Sequence, residues 1–151
     1  MPDVKRKVYA YITHRNRLLV FAHPNSPEAG IQVPGGTLEA GETPEAGVLR
    51  EAREETDRDD LEIVRFLGRV LRHRADIGRD EIHERFFFHL RCTGDPPETW
   101  RHGEFDPSEG EEVVIPFDFF WAPLPDGVPE LIAGQGQLLP ALLAEDLPRG
   151  E

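Results

Sequence analysis

The chain has 151 residues, the length of one compact domain, and a formal net charge of −12 at neutral pH. This acidic excess argues against nucleic acid or an anionic membrane surface as the main partner. No apolar run approaches the roughly 18 residues of a membrane-spanning helix, and the start of the chain lacks the apolar core of a signal sequence. Cys92 is the only cysteine and allows no internal disulfide, so we expect a single cytoplasmic domain, residues 1–151.

The first half of the chain predicts a β-hairpin, a short strand and a helix. Residues 8–13 and 18–22 are rich in β-branched and aromatic side chains and flank a polar turn, as hairpin strands do. Residues 31–33 predict a third, short strand after a loop rich in proline, asparagine and glycine. Gly35 and Gly36 then allow close approach of a ligand to the backbone, although alone they would indicate only a tight turn.

A helix is predicted from Thr43 to about Thr56. Thr43 is a suitable N-cap, Pro44 suits the first helical position, and an acidic residue follows in the first turn. Gly47 weakens this helix, because glycine has a low helix propensity. Asp57 follows the helix, and aspartate is among the few residues that tolerate the left-handed conformation found at helix ends.

The region after this helix predicts further strands. Residues 61–70 predict one or two strands broken near Gly68, residues 73–80 predict a loop, and residues 82–92 predict a strand. The distribution of charge also changes here. Ten acidic residues and three arginines fall between positions 39 and 62, but seven arginines and four acidic residues fall between positions 65 and 91. An acidic cluster followed by a basic one suits a metal-bound polyphosphate better than DNA.

The last part of the chain predicts a long connection, a strand and a closing helix. Residues 93–112 form a polar connection rich in proline, glycine and acidic residues. Residues 113–124 predict a strand interrupted or edged by Pro116, and residues 137–146 predict a short helix. Such an order of elements indicates a mixed sheet covered by helices, which is an α/β or α+β domain.

Three glutamates lie on one face of the first predicted helix. Glu51, Glu54 and Glu55 stand at positions i, i+3 and i+4, so their carboxylates project into one small volume. Like charges held this close repel one another unless a cation lies between them, and hard oxygen ligands suit Mg2+ or Mn2+. A solvated helix face is the ordinary alternative for a glutamate-rich run.

Residues 34–58 resemble the Nudix box. The pattern of that family is Gly, five residues, Glu, seven residues, then Arg-Glu-U-x-Glu-Glu-x-Gly-U, where U is apolar. Six positions match at the family's spacing, namely Gly36, Glu42, Arg50, Glu51, Glu54 and Glu55. The end of the pattern differs, because Asp57 replaces the last glycine and Arg58 the last apolar residue. We interpret Asp57 as a change of helix cap.

The resemblance implies an α/β/α sandwich with a mixed β-sheet between helices, and catalysis by metal-assisted hydrolysis. Its implied ligands for Mg2+ or Mn2+ are the carbonyl of Gly35 and the carboxylates of Glu51, Glu54 and Glu55. One of these glutamates would also serve as general base or orient the attacking water. Arg50 would hold a box carboxylate in place, and Glu42 would organise the loop that faces the helix.

Further candidate residues lie outside the box. Many family members add one more acidic ligand, and the acidic residues of the long connection are Glu104, Asp106, Glu109, Glu111 and Glu112. Glu111 and Glu112 are favoured because a strand edge would fix them, and Glu112 is the predicted ligand; a solvated acidic loop is the alternative. The candidate arginines for substrate phosphates are Arg72, Arg74 and Arg79. The aromatic candidates for base stacking are Trp100, Phe119, Phe120 and Trp121, although strand aromatics more often belong to the core.

The predicted function is therefore hydrolysis of a pyrophosphate bond in a nucleoside diphosphate linked to another moiety. The expected partner is a small-molecule nucleotide, either a nucleoside di- or triphosphate or a nucleotide sugar. Nucleic acid and membrane are not expected, and a homodimer is left open. The alternative is a Nudix-like domain that binds nucleotides or regulates without hydrolysis. The four box glutamates argue against it, because domains that have lost hydrolysis usually lose them.

Overall fold

The structure is a computed structural model that describes residues 3–74, 80–105 and 114–144. The strands of this part are β1 (Asp3–His14), β2 (Arg17–Ala22), β3 (Gly35–Thr37), β4 (Leu61–Arg74), β5 (Glu81–Cys92), β6 (Thr99–Phe105) and β7 (Val114–Pro123). Its α-helices are α1 (Pro44–Thr56) and α2 (Leu139–Leu143). Within the described ranges, no helix is long and apolar enough to cross a membrane.

One mixed sheet contains all the described strands, in the order β4-β5-β1-β2-β7-β6, with β3 also paired to β1. β1 pairs in parallel with β5, whereas its pairings with β2 and β3 are antiparallel. The edge of β1 opposite β5 is shared, since β3 pairs with its middle and β2 with its last two residues. The backbone of Gln32 bonds to Phe21 of β2 and the carbonyl of Pro34 to Ala10 of β1. The segment from residue 32 to residue 37 therefore lies between the two strands of the hairpin.

Each face of the sheet carries its own apolar cluster. On one face, Val48 and Ala52 of α1 are completely buried among side chains from β1, β2 and β5. On the other face, Leu131 and Leu142 of the C-terminal segment are buried with Tyr11. A mixed sheet between helical segments confirms the predicted fold class. The predicted hairpin and the strand at residues 82–92 are confirmed as well.

The predicted strand at residues 31–33 is wrong. Ile31 and Gln32 make only isolated bridges, and the strand at this place is β3, which contains the glycine pair itself. The strand falls on the glycine pair because the backbones of β3 and β1 approach each other closely there. A Cβ atom on Gly35 would lie 2.4 Å from the carbonyl oxygen of Val8, so no side chain fits between β3 and β1.

The predicted connection at residues 93–112 contains a strand that the sequence did not indicate. β6 pairs antiparallel with β7 at the edge of the sheet. Thr99 and Arg101 of β6 are exposed, and Arg101 forms an ion pair with Asp118. An exposed edge strand lacks a continuous apolar pattern.

Two further boundaries differ from the prediction. β4 continues through Gly68 to Arg74, and the predicted break corresponds to shifts of register against β5. The predicted loop at residues 73–80 is therefore wrong in its first two residues, and residues 75–79 lie outside the described part. The closing helix spans Leu139–Leu143 and is shorter than predicted, with residues 145 and 146 outside the description.

Candidate functional site

The helix α1 begins and ends where the sequence predicts. The hydroxyl of Thr43 accepts a hydrogen bond from the backbone N–H of Ala46 at 3.2 Å, and Pro44 is the first helical residue. Asp57 has φ 58° and ψ 35°, the left-handed conformation, and its N–H bonds to the carbonyl of Arg53. The prediction that Asp57 caps the helix is confirmed. These two caps fix the residues at which α1 begins and ends, and burial of Val48 and Ala52 sets the face that it turns to the sheet.

Two of the three glutamates lie against the glycine pair of β3. Oε1 of Glu55 accepts a hydrogen bond from the N–H of Gly35 at 2.9 Å. A Cβ atom on Gly36 would lie 2.2 Å from the carboxyl carbon of Glu51. The glycines are therefore required for room, because a side chain at residue 36 would occupy the place of the Glu51 carboxylate.

Arg50 lies at the centre of the box carboxylates. Its Nε and Nη2 donate to the two carboxylate oxygens of Glu42 at 2.7 and 2.8 Å. Its Nη1 donates to Glu51 at 2.9 Å and to Glu54 at 3.4 Å, and Nη2 also donates to the carbonyl of Thr37 at 3.3 Å. A bidentate guanidinium pair of this kind is directional, so Arg50 fixes both the loop and the helix carboxylates.

The contact with Arg50 keeps Glu42 ionised. Hydrogen bonds from the Arg50 side chain, and then from the backbone N–H of Glu39, lower the pKa of Glu42 to about 2. Gly47 contributes to the same loop contact, because a Cβ there would lie 2.1 Å from Cδ2 of Leu38 and 3.1 Å from Oε1 of Glu42. Gly47 thus weakens the helix but allows the loop to pack against it.

The carboxylates fit a divalent cation in their chemistry, although they are not gathered around one point. Among residues 3–74, 80–105 and 114–144, no three His, Cys, Asp or Glu side chains are arranged to hold a metal ion. Glu51 and Glu55 meet β3 at adjacent residues, whereas the side chain of Glu54 is 60% exposed and turned toward Arg50. Carboxylate oxygens are hard ligands and suit Mg2+ or Mn2+ in their chemistry. The other predicted ligand, Glu112, lies outside the described residues.

A cavity of about 170 Å³ opens beside Glu55. Its lining includes Lys7, Tyr9, Gln32, Gly35, Glu55 and Gln135. The ammonium group of Lys7 donates to the hydroxyl of Thr37 at 2.7 Å, and burial, followed by the nearby Lys5, lowers the pKa of Lys7. The sequence reasoning missed Lys7 and Gln135, because they come from the two ends of the chain.

Of the three arginines predicted to bind substrate phosphates, the structure describes the side chain of one, Arg72. Arg72 donates to the carbonyl of Ala133 and lines a second cavity, of about 350 Å³, with residues 130–134. The side chain of Arg74 and all of Arg79 lie outside the described part. Arg85, which was not predicted, is buried and donates to the same carbonyl at 2.7 Å. Its alternation with Phe87 on β5 was a usable signal for an inward-facing arginine.

Of the four aromatic candidates for base stacking, Phe119 and Trp121 belong to the core, whereas Trp100 and Phe120 are partly buried. Trp100, Phe119 and Phe120 line a cavity of about 400 Å³ at the edge of the sheet. Trp100 stacks on Phe119 with ring centroids 5.1 Å apart, and its indole N–H donates to the carbonyl of Thr56 at 3.0 Å. Phe119 and Trp121 are buried on the side of the sheet covered by α1. The cavity beside Glu55 contains none of the four.

Comparisons with known proteins agree with this fold. The model of the NUDIX domain matches residues 4–142 of the chain. A UDP-X diphosphatase superposes with a TM-score of 0.62 at 18% identity, covering 95% of this chain and 62% of that chain. A MutT NUDIX hydrolase from Burkholderia pseudomallei superposes with a TM-score of 0.59 at 23% identity, covering 93% and 98%. An ADP-ribose pyrophosphatase from Streptococcus suis superposes with a TM-score of 0.56 at 20% identity, covering 92% and 89%. No curated protein matches the sequence.

Proposed function

The chain belongs to the NUDIX domain family as a Nudix hydrolase, and from this premise we propose that it cleaves a pyrophosphate bond with Mg2+ or Mn2+. The substrate we propose is a nucleoside diphosphate linked to another moiety, either a nucleoside di- or triphosphate or a nucleotide sugar. The observation that carries the proposal is the convergence of Glu51 and Glu55 on the glycine pair of β3, at the wall of an open cavity. The names of two similar structures, a UDP-X diphosphatase and an ADP-ribose pyrophosphatase, support the same substrate class.

The residues of the box have different roles in the proposed reaction. Glu51, Glu54 and Glu55 would hold the cation, which when bound supplies an activated water and neutralises charge on the diphosphate. Arg50 holds the carboxylates of Glu42 and Glu51 in fixed positions by hydrogen bonds. Glu55 lies in the cavity wall, and its carboxylate is therefore beside the place where the scissile bond would enter.

Two basic residues can bind the phosphates of this substrate. Lys7 lines the same cavity as Glu55, and its ammonium group donates a hydrogen bond to the hydroxyl of Thr37. Arg72 lines the second cavity together with residues 130–134, and the next residue, Gln135, lines the first. A substrate that spans the two cavities would place its phosphates between these cations, which would offset their negative charge.

A hydrolysis screen tests the proposal. Nucleoside di- and triphosphates and nucleotide sugars are incubated with Mg2+ or Mn2+, and phosphate-containing products are measured. We expect turnover of at least one compound, and a loss of about 100-fold or more for Glu55→Gln or Glu54→Gln with the fold intact. Glu45→Gln is the matched control, because Glu45 is an exposed residue in the first turn of the same helix.

The outcomes distinguish a hydrolase from a domain that binds nucleotides without hydrolysing them. Full activity in both Glu55→Gln and Glu54→Gln would contradict the assignment of these residues to the metal site. Tight binding of a nucleotide without turnover under any metal would favour the binding or regulatory domain instead. We also propose a reducing compartment, the cytoplasm, because Cys92 is a buried free thiol. The homodimer stays a prediction.

A further inference from the structure

The last turn of α1 is bonded to two side chains of β6, an edge strand of the sheet. The indole N–H of Trp100 donates to the carbonyl of Thr56 at 3.0 Å, and Nε2 of His102 lies 3.0 Å from the carbonyl oxygen of Glu54. Because a carbonyl can only accept, Nε2 of His102 carries the proton in this contact. The last carbonyls of a helix have no partner within it, so β6 supplies donors that the end of α1 needs.

Trp100 is held in place by two further contacts. Its ring stacks on Phe119 of β7, with ring centroids 5.1 Å apart. The guanidinium of Arg58 lies 5.9 Å from the centroid of the Trp100 ring, within the range of a cation–π contact. Arg58 also donates to both carboxylate oxygens of Asp60, at 2.9 and 2.5 Å. Since Arg58 stands where the Nudix pattern has an apolar residue, this contact does not come from the part of the box that the chain shares with the family.

The turn bonded to β6 carries two of the three candidate metal ligands, Glu54 and Glu55. The carboxylate of Glu55 accepts a hydrogen bond from the backbone N–H of Gly35. The side chain of Glu54 is 60% exposed, and its contact with Arg50 is long, at 3.4 Å. An exposed ion pair restrains a side chain weakly, so the position of the Glu54 carboxylate depends on its backbone. The hydrogen bond from His102 is made to that backbone.

We propose that Trp100 and His102 are positioning residues for the metal site, which hold the last turn of α1 so that Glu54 and Glu55 keep the geometry needed to bind a divalent cation. The inference rests on the proposed function, because it concerns the same cation. It extends the site to β6, a strand outside the box. Residues that orient metal ligands from outside the coordination sphere typically change metal affinity by about 10- to 100-fold when they are substituted.

Binding of Mn2+ tests this role without requiring hydrolysis. The dissociation constant of Mn2+ alone is measured on the whole chain, from the electron paramagnetic resonance signal of the free ion. His102→Met keeps a side chain of similar length but removes the donor, and we expect it to weaken Mn2+ binding by about tenfold. Trp100→Phe removes the indole N–H but keeps an aromatic ring beside Phe119, and it should weaken Mn2+ binding as well.

A conservative variant and a control on the same strand accompany these substitutions. In His102→Gln, the amide nitrogen can take the place of Nε2 and donate to the carbonyl of Glu54, so the Mn2+ dissociation constant should stay within about twofold of the wild-type value. Arg101→Met is the matched control. Arg101 is exposed and forms its ion pair with Asp118 of β7, so its loss removes an interaction of β6 that does not reach α1.

Amide hydrogen exchange measures the contact between β6 and α1 directly. The amides of residues 54–57 should exchange faster in His102→Met than in the wild-type protein or in His102→Gln, because the last turn has lost a donor that restrains it. A purely structural role would lower the free energy of unfolding but would leave the Mn2+ dissociation constant of the folded protein unchanged.

The inference is overturned if His102→Met and Trp100→Phe bind Mn2+ with the wild-type dissociation constant, whatever their stability. It is also overturned if His102→Gln or Arg101→Met loses as much affinity as His102→Met does. Unchanged Mn2+ affinity in these variants, together with hydrolysis of a nucleotide by the wild-type protein, would contradict the role of β6 and leave the proposed function intact. Absence of Mn2+ binding by the wild-type protein would overturn the inference, and would contradict the proposed function too if no nucleotide is hydrolysed.

Discussion

Replacement of Gly36 by alanine tests whether the position of the Glu51 carboxylate, and not only its charge, supports the chemistry. The new Cβ would lie 2.2 Å from the carboxyl carbon of Glu51, and ordinary contact begins at 3.4 Å. The carboxylate must therefore retreat by at least about 1.2 Å while Glu51 itself stays in the chain. Misplacement of a reacting group by about 1 Å can reduce a rate by roughly 100-fold, so we expect Gly36→Ala to lose activity to this extent.

The folded structure should survive this change. No left-handed φ is found at Gly36, so alanine costs no backbone strain and restricts the unfolded chain, a gain of about 0.4–1 kcal/mol. The loss of the hydrogen bond from Arg50 to Glu51 opposes that gain by a similar amount, about 1 kcal/mol, since the pair is partly solvated. We expect the free energy of unfolding in urea to change by less than about 2 kcal/mol.

The assay compares kcat on the best nucleotide of the screen with the free energy of unfolding of the same samples. Gly136→Ala is a matched control, because a Cβ there meets its nearest side-chain atom at 3.4 Å, which is ordinary contact. The double variant Gly36→Ala with Glu51→Asp should recover part of the lost activity, because it shortens the acidic side chain by one carbon. Wild-type kcat in a folded Gly36→Ala protein would refute the reasoning.

Two further predictions concern the stability of the protein and the residues Asp57 and Glu42. Asp57→Gly should raise the free energy of unfolding by up to about 1 kcal/mol, because glycine adopts the left-handed cap conformation without strain. Asp57→Ala should lower the free energy of unfolding. Unfolding in urea measures both changes. Glu42 has a pKa of about 2 in the folded protein against its ordinary 4.5, so its contribution to stability is complete above pH 4.5 and lost as the pH falls toward 2. The difference in unfolding free energy between wild type and Glu42→Gln should shrink over that interval, and a constant difference from pH 7 to pH 2 would contradict the Arg50 contact as its source.

The parts of the site that the sequence predicted are those set by local chemistry. Thr43, Pro44 and Asp57 define the helix by interactions within a few residues, so the spacing of the carboxylates could be read directly. The sequence drew attention to Gly35 and Gly36 as a place where a ligand approaches the backbone. It did not indicate that these glycines make room for β1 and for the carboxylate of Glu51. Only the neighbouring strand shows that Gly35 faces the backbone of Val8.

The parts that the sequence did not predict depend on distant segments. The hydroxyl of Tyr11 reaches the carbonyl of Gln135 across 124 positions, and no local pattern indicates that an amide so far along the chain lies beside the box. β6 was missed for a different reason. Its exposed position at the sheet edge removes the apolar alternation on which strand prediction depends.

The parallel pairing of β1 with β5 has a consequence for how the protein folds. Thr13 is opposite Arg91, so the centre of the sheet forms only when segments almost eighty residues apart have met. Pairing of this kind slows folding, because a long loop must close before its contacts stabilise it. The thirteen residues of α1 would be marginal as an isolated helix, and Val48 and Ala52 find their buried surroundings only on the completed sheet. We therefore expect the carboxylate face, although its residues all lie within one helix, to be assembled late in folding.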